Sequence, residues 1–390
     1  MKVSYNQSKR LKTLKPSGIR HFFSLARKIP DVINLSIGEP DFNPPKHVLE
    51  AGCKAAYQGE THYAPTNGLF ELRDALSKKA HLDYGLQYDP EDEILIIVGG
   101  TEGIFSTLLS LTNPGDEVLI PDPGFVLYKP CVLLADCVPI SIPLLEKNHF
   151  EPSCDTVTSL ITDKSRVMIL NSPSNPTGAV FPYKKISELA KIAKEYNLIV
   201  ISDEVYEKIR YNNSKHHCVA TFPDMRDRTL VVNSFSKTYA MTGLRVGYIY
   251  GPRELISSIW LVHQYIVACV NSLSQRAALA ALDGPQNFVT EMISDFRRRR
   301  QMVYERIKEI DAFRCALPNG AFYMFPNLTN ATISSEQFAQ FLLNKAHVAV
   351  VPGSAFGANG EGYIRISYAA AYEKLEEALN RIDKALKKFE

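Results

Sequence analysis

The sequence lacks an excess of either charge: 44 lysines and arginines stand against 42 aspartates and glutamates, a formal net charge of +2 over 390 residues. A nucleic-acid or polyanion binder carries a basic surplus, so neither kind of partner is implied. The seven cysteines, at positions 53, 131, 137, 154, 218, 269 and 315, form no C-x-x-C. No Cys/His pair has zinc-finger spacing, so no metal is expected and the thiols read as buried and unpaired in a reducing compartment. No stretch reaches the roughly 20 apolar residues of a membrane helix. The nearest, Leu255 to Val270, is broken by Ser257, Ser258, His263 and Gln264. Met1 to Ser17 is basic and polar with no apolar core, which excludes a secretory leader. Repeats, low-complexity segments and a G-x-G-x-x-G dinucleotide fingerprint are also missing. A soluble cytoplasmic protein is expected.

What is present is a chain long enough for two domains, 45% apolar and thus able to build a sizeable core. Its middle alternates short apolar runs with helical patterns. The runs are Ile94–Val98, Glu117–Ile120, Val167–Leu170, Leu198–Ile201, Leu230–Val232 and Val246–Tyr250. Most are apolar throughout, as strands covered on both faces are. Between them lie patterns such as Ile186–Tyr196, with Ile186, Leu189, Ala190 and Ala193 at helical spacing. This alternation predicts an α/β fold: a mainly parallel sheet with helices on both sides. Towards the C-terminus, long helical patterns at Phe288–Ile310 and Tyr372–Lys388 enclose short strand-like pieces at Ala321–Phe325 and Val348–Val351. The expected division is a large domain over 46–285, a smaller α+β domain over 286–390, and a segment 1–45 packing with the smaller one. The run Arg297 to Arg300 reads as the solvated side of a helix.

In such a sheet, ligands bind where strands end at the carboxyl edge. After the first run comes Gly99-Gly100-Thr101-Glu102-Gly103 and then a helical pattern. Glycines there let backbone N–H groups at a helix start approach an anion, although such turns also serve tight packing. After Val167–Leu170 comes Asn171-Ser-Pro-Ser-Asn175-Pro-Thr-Gly178, a rigid turn able to aim Asn175 into a cleft. After Leu198–Ile201 stands Asp203, a carboxylate at the mouth of a buried strand, where it needs a cation or hydrogen bonds. After Leu230–Val232 comes Asn233-Ser234-Phe-Ser236-Lys237, with Arg245 eight positions further. A desolvated lysine near another cation has a lowered pKa and becomes an amine nucleophile. Taken singly, Phe125 and Tyr206 read as core, and none of the nine histidines has an evident catalytic partner.

The set Asn175-Pro-Thr-Gly, Asp203-x-x-Tyr206 and Ser234-x-Ser-Lys237-x-x-x-Met-x-Gly-x-Arg245 resembles the class I/II aminotransferases of the fold-type-I pyridoxal-phosphate group. The nearest likeness is to archaeal aspartate and aromatic aminotransferases. It runs from Pro16-Ser17-Gly18-Ile19-Arg20 through Ile37-Gly38-Glu39-Pro40-Asp41-Phe42 to Tyr363-Ile364-Arg365-Ile366-Ser367-Tyr368. The resemblance implies pyridoxal phosphate carried as a Schiff base on Lys237, which also moves the substrate proton. It implies Asp203 on the ring nitrogen, Tyr206 and Asn175 on the phenolic oxygen, and Phe125 stacked on the ring. Gly100, Thr101, Ser234, Ser236 and Arg245 would hold the phosphate, joined by Tyr63 of a second subunit in a homodimer with sites at the interface. Arg365, with Asn175 and the Gly38 backbone, would clamp the α-carboxylate of a small amino or 2-oxo acid.

The implied reaction is a ping-pong amino transfer from an L-amino acid, aspartate or aromatic, to 2-oxoglutarate. Some relatives that prefer dicarboxylic substrates place lysine after the two glycines, where this chain has Thr101, and close relatives often carry tryptophan at the place of Leu244. The first departure leaves an aromatic or other apolar side chain as open a reading as aspartate. A carbon–sulfur lyase on the same scaffold is the alternative. A non-enzymatic, aminotransferase-like sensor domain of a transcription regulator fits less well, because 390 residues leave no room for its DNA-binding segment.

Overall fold

The computed structural model describes residues 7–387 apart from 15, 17, 28, 212–214 and 329–332. Residues 1–6 and Ser17 of the basic N-terminal stretch, and Lys388, lie outside the described residues, as does the side chain of Arg20. Seven strands among the described residues form the main sheet: β1 (Ile94–Ile97), β2 (Glu117–Asp122), β3 (Val138–Pro143), β4 (Ser165–Asn171), β5 (Ile199–Asp203), β6 (Thr229–Ser234) and β7 (Gly247–Tyr250). Their order is β1-β7-β6-β5-β4-β2-β3. Only β7 runs against the others.

The central strands are apolar on both faces because both are covered. On β4, Val167 and Ile169 pack with Leu95, Ile97, Ile201 and Val232 on one side. Met168 and Leu170 pack with Leu189, Ala193 and Val200 on the other. The helix Tyr183–Glu195 supplies Leu189 and Ala193 from its apolar stripe, with Pro182 preceding its first residue. Strand β3 escaped the sequence reading. It contains Pro139 and Pro143 and lies at the edge of the sheet, where a strand tolerates proline.

The C-terminal part is α+β. Strands β8 (Tyr323–Met324), β9 (Val351–Pro352) and β10 (Ile364–Ser367) form an antiparallel sheet ordered β8-β10-β9. The helices Asn287–Lys308 and Tyr372–Leu386 pack beside it. Ile33–Asn34 pairs in parallel with Val348–Ala349, and Ser367 N–H donates to the Leu35 carbonyl at 3.0 Å. Phe22, Leu35, Phe296, Phe322, Ile366 and Leu379 share one core. These contacts carry residues 35–38 alongside β10.

Two expectations are corrected. The four arginines at 297–300 are not all solvated: Arg297 and Arg298 are exposed, but Arg299 and Arg300 are buried. Arg299 bonds Asp41 at 2.7 Å and Asp295 at 2.6 Å and lies over the Phe42 ring. Arg300 donates to the Pro318 carbonyl and lies over Tyr211. Helical spacing says which residues share a face, and on this helix positions 299 and 300 turn inward beside Val303 and Phe296. The cysteines are unpaired, but Cys131, Cys137 and Cys218 alone are buried, and Cys53 is exposed.

Arg299 joins the N-terminal segment to the helix Asn287–Lys308, and its removal leaves Asp41 without this cation, while Asp295 keeps Arg298. Arg299→Met should lower the unfolding free energy by about 1–3 kcal/mol, read by chemical denaturation. A variant as stable as wild type would show that the hydrophobic contacts alone seat the segment.

Candidate active site

The carboxyl ends of β1, β2, β4, β5 and β6 open on a cavity of about 520 Å3. After β1, Gly99 adopts φ +77° and the helix Gly100–Leu111 begins at the next residue. Gly100 and Thr101, at the start of that helix, line the cavity. A β-carbon at Gly99 would lie 2.5 Å from Nη2 of Arg245, and one at Gly247 would lie 3.2 Å from Gly99 Cα. Gly99 thus admits a guanidinium to the helix start, and Gly247 lets β7 pass close to that backbone. Arg245 donates to the Thr242 carbonyl at 2.9 Å. The Ser234 hydroxyl accepts the Ser236 N–H at 3.1 Å, and it has the Val246 carbonyl at 3.1 Å and Ser236 Oγ at 2.8 Å as acceptors for its one proton. Ser236 can then turn its own proton to the cavity. A helix N-terminus, a guanidinium and a hydroxyl around one space fit a phosphate.

Asp203 ends β5 and is 4% exposed. Its register partners are Asn171 and Val232. Tyr128 Oη donates to Asp203 Oδ2 at 2.6 Å, and the Val205 N–H is 3.4 Å from Oδ1. Burial pushes the carboxyl up to about 6 despite these donors. Phe125, which follows β2, lines the cavity with its ring edge-on to Tyr128. A buried carboxylate with only neutral donors on it, beside an aromatic face, fits a protonated heteroaromatic ring.

Lys237 follows β6 in the short helix Phe235–Thr238. Its Nζ donates to the Gly38 carbonyl at 2.6 Å. Burial, then the charges of Arg365 and Arg245, lower it to about 8, against the opposing pull of Glu39 and Asp203. Near neutral pH such an amine is partly in its nucleophilic form. Arg365, on β10, is 1% exposed. Its Nη1 donates to Asn175 Oδ1 at 2.9 Å and its Nη2 to the Ser36 carbonyl at 2.6 Å. Nε has no partner. A buried guanidinium with donors left over is the natural seat of a carboxylate. Asn175 is itself held through its N–H by Asn171 Oδ1 at 2.9 Å. Tyr206 places its hydroxyl 2.7 Å from that of Tyr323.

Every residue proposed above as a ligand-contact residue lines this one cavity, except Tyr63, which is 90% exposed on the surface. The sequence reading missed Tyr128 and Tyr323. Tyr128 stands three residues after Phe125, and Tyr323 lay in a stretch read only as a short strand. Two histidines do have carboxylate partners: His216 with Glu204 at 2.5 Å and His263 with Glu102 at 3.1 Å. Neither lines the cavity. Glu204, Glu207 and His216 gather within 4.8 Å of one another. Each is engaged within the protein, Glu204 also by Ser202 and Glu207 by Lys79.

Comparison with known proteins agrees with the geometry. The family described as "Aminotransferase class I and II" matches residues 30–382. An aspartate aminotransferase of Pyrococcus abyssi is 44% identical, over 97% of this chain and 98% of its own. An aromatic-amino-acid aminotransferase of Thermococcus litoralis is 42% identical, over 97% and 98% respectively. The solved structure of an aromatic aminotransferase from Pyrococcus horikoshii superimposes with a TM-score of 0.90 at 42% identity, covering 95% of this chain and 99% of that one.

Two outcomes follow from the electrostatics. In protein prepared without ligand, the rate at which Lys237 reacts with a small amine-directed reagent should rise with a midpoint near pH 8, well below the about 10.4 of an exposed lysine. Peptide mapping of the labelled site measures it, and a midpoint at the exposed value would contradict the desolvation argument. Asp203 titrates higher in the folded chain than the ordinary 3.8 of an aspartate, so folding takes up a proton between about pH 4 and 6. Its ionisation therefore destabilises the ligand-free protein as pH rises through that window. Asp203→Asn should unfold at a higher temperature than wild type at pH 7, with the difference closing as pH falls towards 4. Equal midpoints at pH 7 would remove the stated cost of burying this charge.

Proposed function

The chain belongs to the class I and II aminotransferase family, and on that footing we propose that it binds pyridoxal phosphate at Lys237 and transfers amino groups from an L-amino acid, aspartate or aromatic, to 2-oxoglutarate. The family uses pyridoxal phosphate. The observation that carries the assignment is a buried carboxylate, Asp203, and a buried guanidinium, Arg365, on the same cavity as the half-buried amine of Lys237. When bound, pyridoxal phosphate supplies an electron sink for the pair released at the substrate Cα and carries the amino group between the half-reactions.

The protein's own part is positioning, charge and proton movement. Gly100, Thr101, Ser234, Ser236 and Arg245 hold the phosphate at the helix start. Asp203, steadied by Tyr128, meets the ring nitrogen and keeps it protonated. Tyr206 and Asn175 donate to the phenolic oxygen, and Phe125 covers the ring face. Arg365 takes the substrate α-carboxylate, with Asn175 and the Gly38 backbone beside it, which brings the Cα–H towards Lys237. Lys237 Nζ, lowered to about 8, is basic enough to take that proton and acidic enough to return it. Donor and acceptor acids use the same Arg365 fork in turn, so the kinetics are ping-pong.

A homodimer belongs to the same proposal, with Tyr63 reaching the phosphate of the other subunit. Supporting it, Tyr57, Tyr63 and Tyr265 are more than four-fifths exposed, and tyrosine is enriched where protein surfaces meet. The division into 1–45, 46–285 and 286–390 is supported by the core shared between residues 22–35 and the C-terminal helices. No helix among the described residues is long and apolar enough to cross a membrane, and the unpaired thiols accord with a cytoplasmic enzyme.

The test is absorption of the purified protein loaded with pyridoxal phosphate, before and after single amino acids are added without acceptor. A yellow band that bleaches supports amino transfer, and the bleaching rates of aspartate, glutamate, tyrosine, phenylalanine and alanine rank the substrates. A band that persists while pyruvate and ammonia accumulate favours the lyase. Lys237→Ala should give neither band nor turnover; wild-type activity in that variant would sink the assignment.

A further inference from the structure

Tyr323 occupies the cavity wall where three functional groups meet, and the reading above gives it no task. Strand β8 holds it against Ser367 of β10, two residues from Arg365. It is 1% exposed. The Arg365 guanidinium lies 4.4 Å from its ring centroid. Its hydroxyl is 2.7 Å from that of Tyr206. The hydroxyl has room only because residue 38 is glycine: a β-carbon there would lie 2.1 Å from it. The carbonyl of that same glycine accepts the proton of Lys237 Nζ.

Two facing phenols form one hydrogen bond, and the direction decides what Tyr206 can do. If Tyr206 donates to Tyr323, its only proton is engaged inside the wall. If Tyr323 donates, Tyr206 keeps its proton for a ligand oxygen. The neighbouring charges choose between them. A cation against the Tyr323 ring stabilises negative charge on its oxygen and makes it the stronger donor. On Tyr206, burial and then the Tyr323 phenol oppose loss of the proton, and the pull of Arg365 is countered there by the charge of Asp203.

We propose that Tyr323 is a positioning residue: it donates its phenolic proton to Tyr206 Oη, so that Tyr206 presents its own proton to the oxygen bound in the cavity. The bond also links the carboxylate fork to that oxygen. A carboxylate arriving on Arg365 offsets the guanidinium charge, weakens Tyr323 as a donor and thereby weakens the hydrogen bond that Tyr206 gives to the ligand. Binding at the fork thus raises proton affinity at the far side of the same cavity, with no movement of the backbone required.

This inference rests on the pyridoxal-phosphate reading, and the experiment separates the two. The pH titration of the yellow band is compared for loaded wild type, Tyr323→Phe, Tyr206→Phe and the double variant, each with and without propionate as a simple carboxylate. Phenylalanine keeps the ring under Arg365 and alters only the hydroxyl. The Tyr323→Phe midpoint should rise by roughly half a unit to one unit, in keeping with loss of one link in a hydrogen-bond chain. Its response to propionate should shrink, and kcat should fall with KM within about twofold. In the Tyr206→Phe background the Tyr323 substitution should change the midpoint no further, because its route is gone. An unchanged midpoint in Tyr323→Phe, or the same rise with Tyr206 already removed, overturns the proposal. Absence of any band in wild type overturns the cofactor reading and this inference with it.

Discussion

A chain of hydrogen bonds from Tyr128 to Ser36 is the constraint on which the site depends. Tyr128 donates to the Asp203 carboxylate, and Asn171 Nδ2 donates to the Asp203 carbonyl at 3.0 Å. Asn171 Oδ1 then accepts the Asn175 N–H, Asn175 Oδ1 accepts from Arg365, and Arg365 donates to the Ser36 carbonyl. All six residues are buried, so each bond acts in a low-dielectric interior where an unmade bond is expensive. The chain crosses from the central sheet through the turn after β4 to β10 and the N-terminal segment. It fixes the separation between the ring-binding carboxylate and the carboxylate-binding fork without relying on any loop to hold its own shape.

The same arrangement explains where stability is given up. Away from the cavity, charges drawn into the interior have partners: Lys79 has Glu207 and Asp83, Arg299 has Asp41 and Asp295, and Arg300 has the Pro318 carbonyl and the Tyr211 ring. At the cavity, Asp203 is raised to about 6 and Lys237 lowered to about 8, both by burial first. Groups left in this condition are poor structural devices and good chemical ones. The glycines act alike. Gly38, Gly99 and Gly247 remove β-carbons where Tyr323, Arg245 and the helix start must approach.

Much of the fold was legible because its signals are local. Covered strands must be apolar on both faces, which is why β1, β2, β4, β5 and β6 stand out as continuous runs. The polar residues after those runs marked the sheet edge where Asn175, Asp203, Ser236 and Lys237 meet. What escaped depends on neighbours distant in sequence. Strand β3 carries two prolines, which its position at the sheet edge makes tolerable. Arg299 and Arg300 read as solvated because four arginines in a row do not disclose which side of a helix faces Asp41 and Tyr211.

By itself the sequence determined the layered α/β architecture, the order of the strand ends and the residue types gathered there, since these follow from patterns within a few residues. Its likeness to known aminotransferases supplied their roles. Only the tertiary structure decided that Tyr128 would hold Asp203, that Tyr323 would stand between Arg365 and Tyr206, and that Gly38 would make room for it. Those contacts join positions 75, 117 and 285 residues apart. A phenol's partner is set by which strands lie side by side, and that is a property of the folded chain.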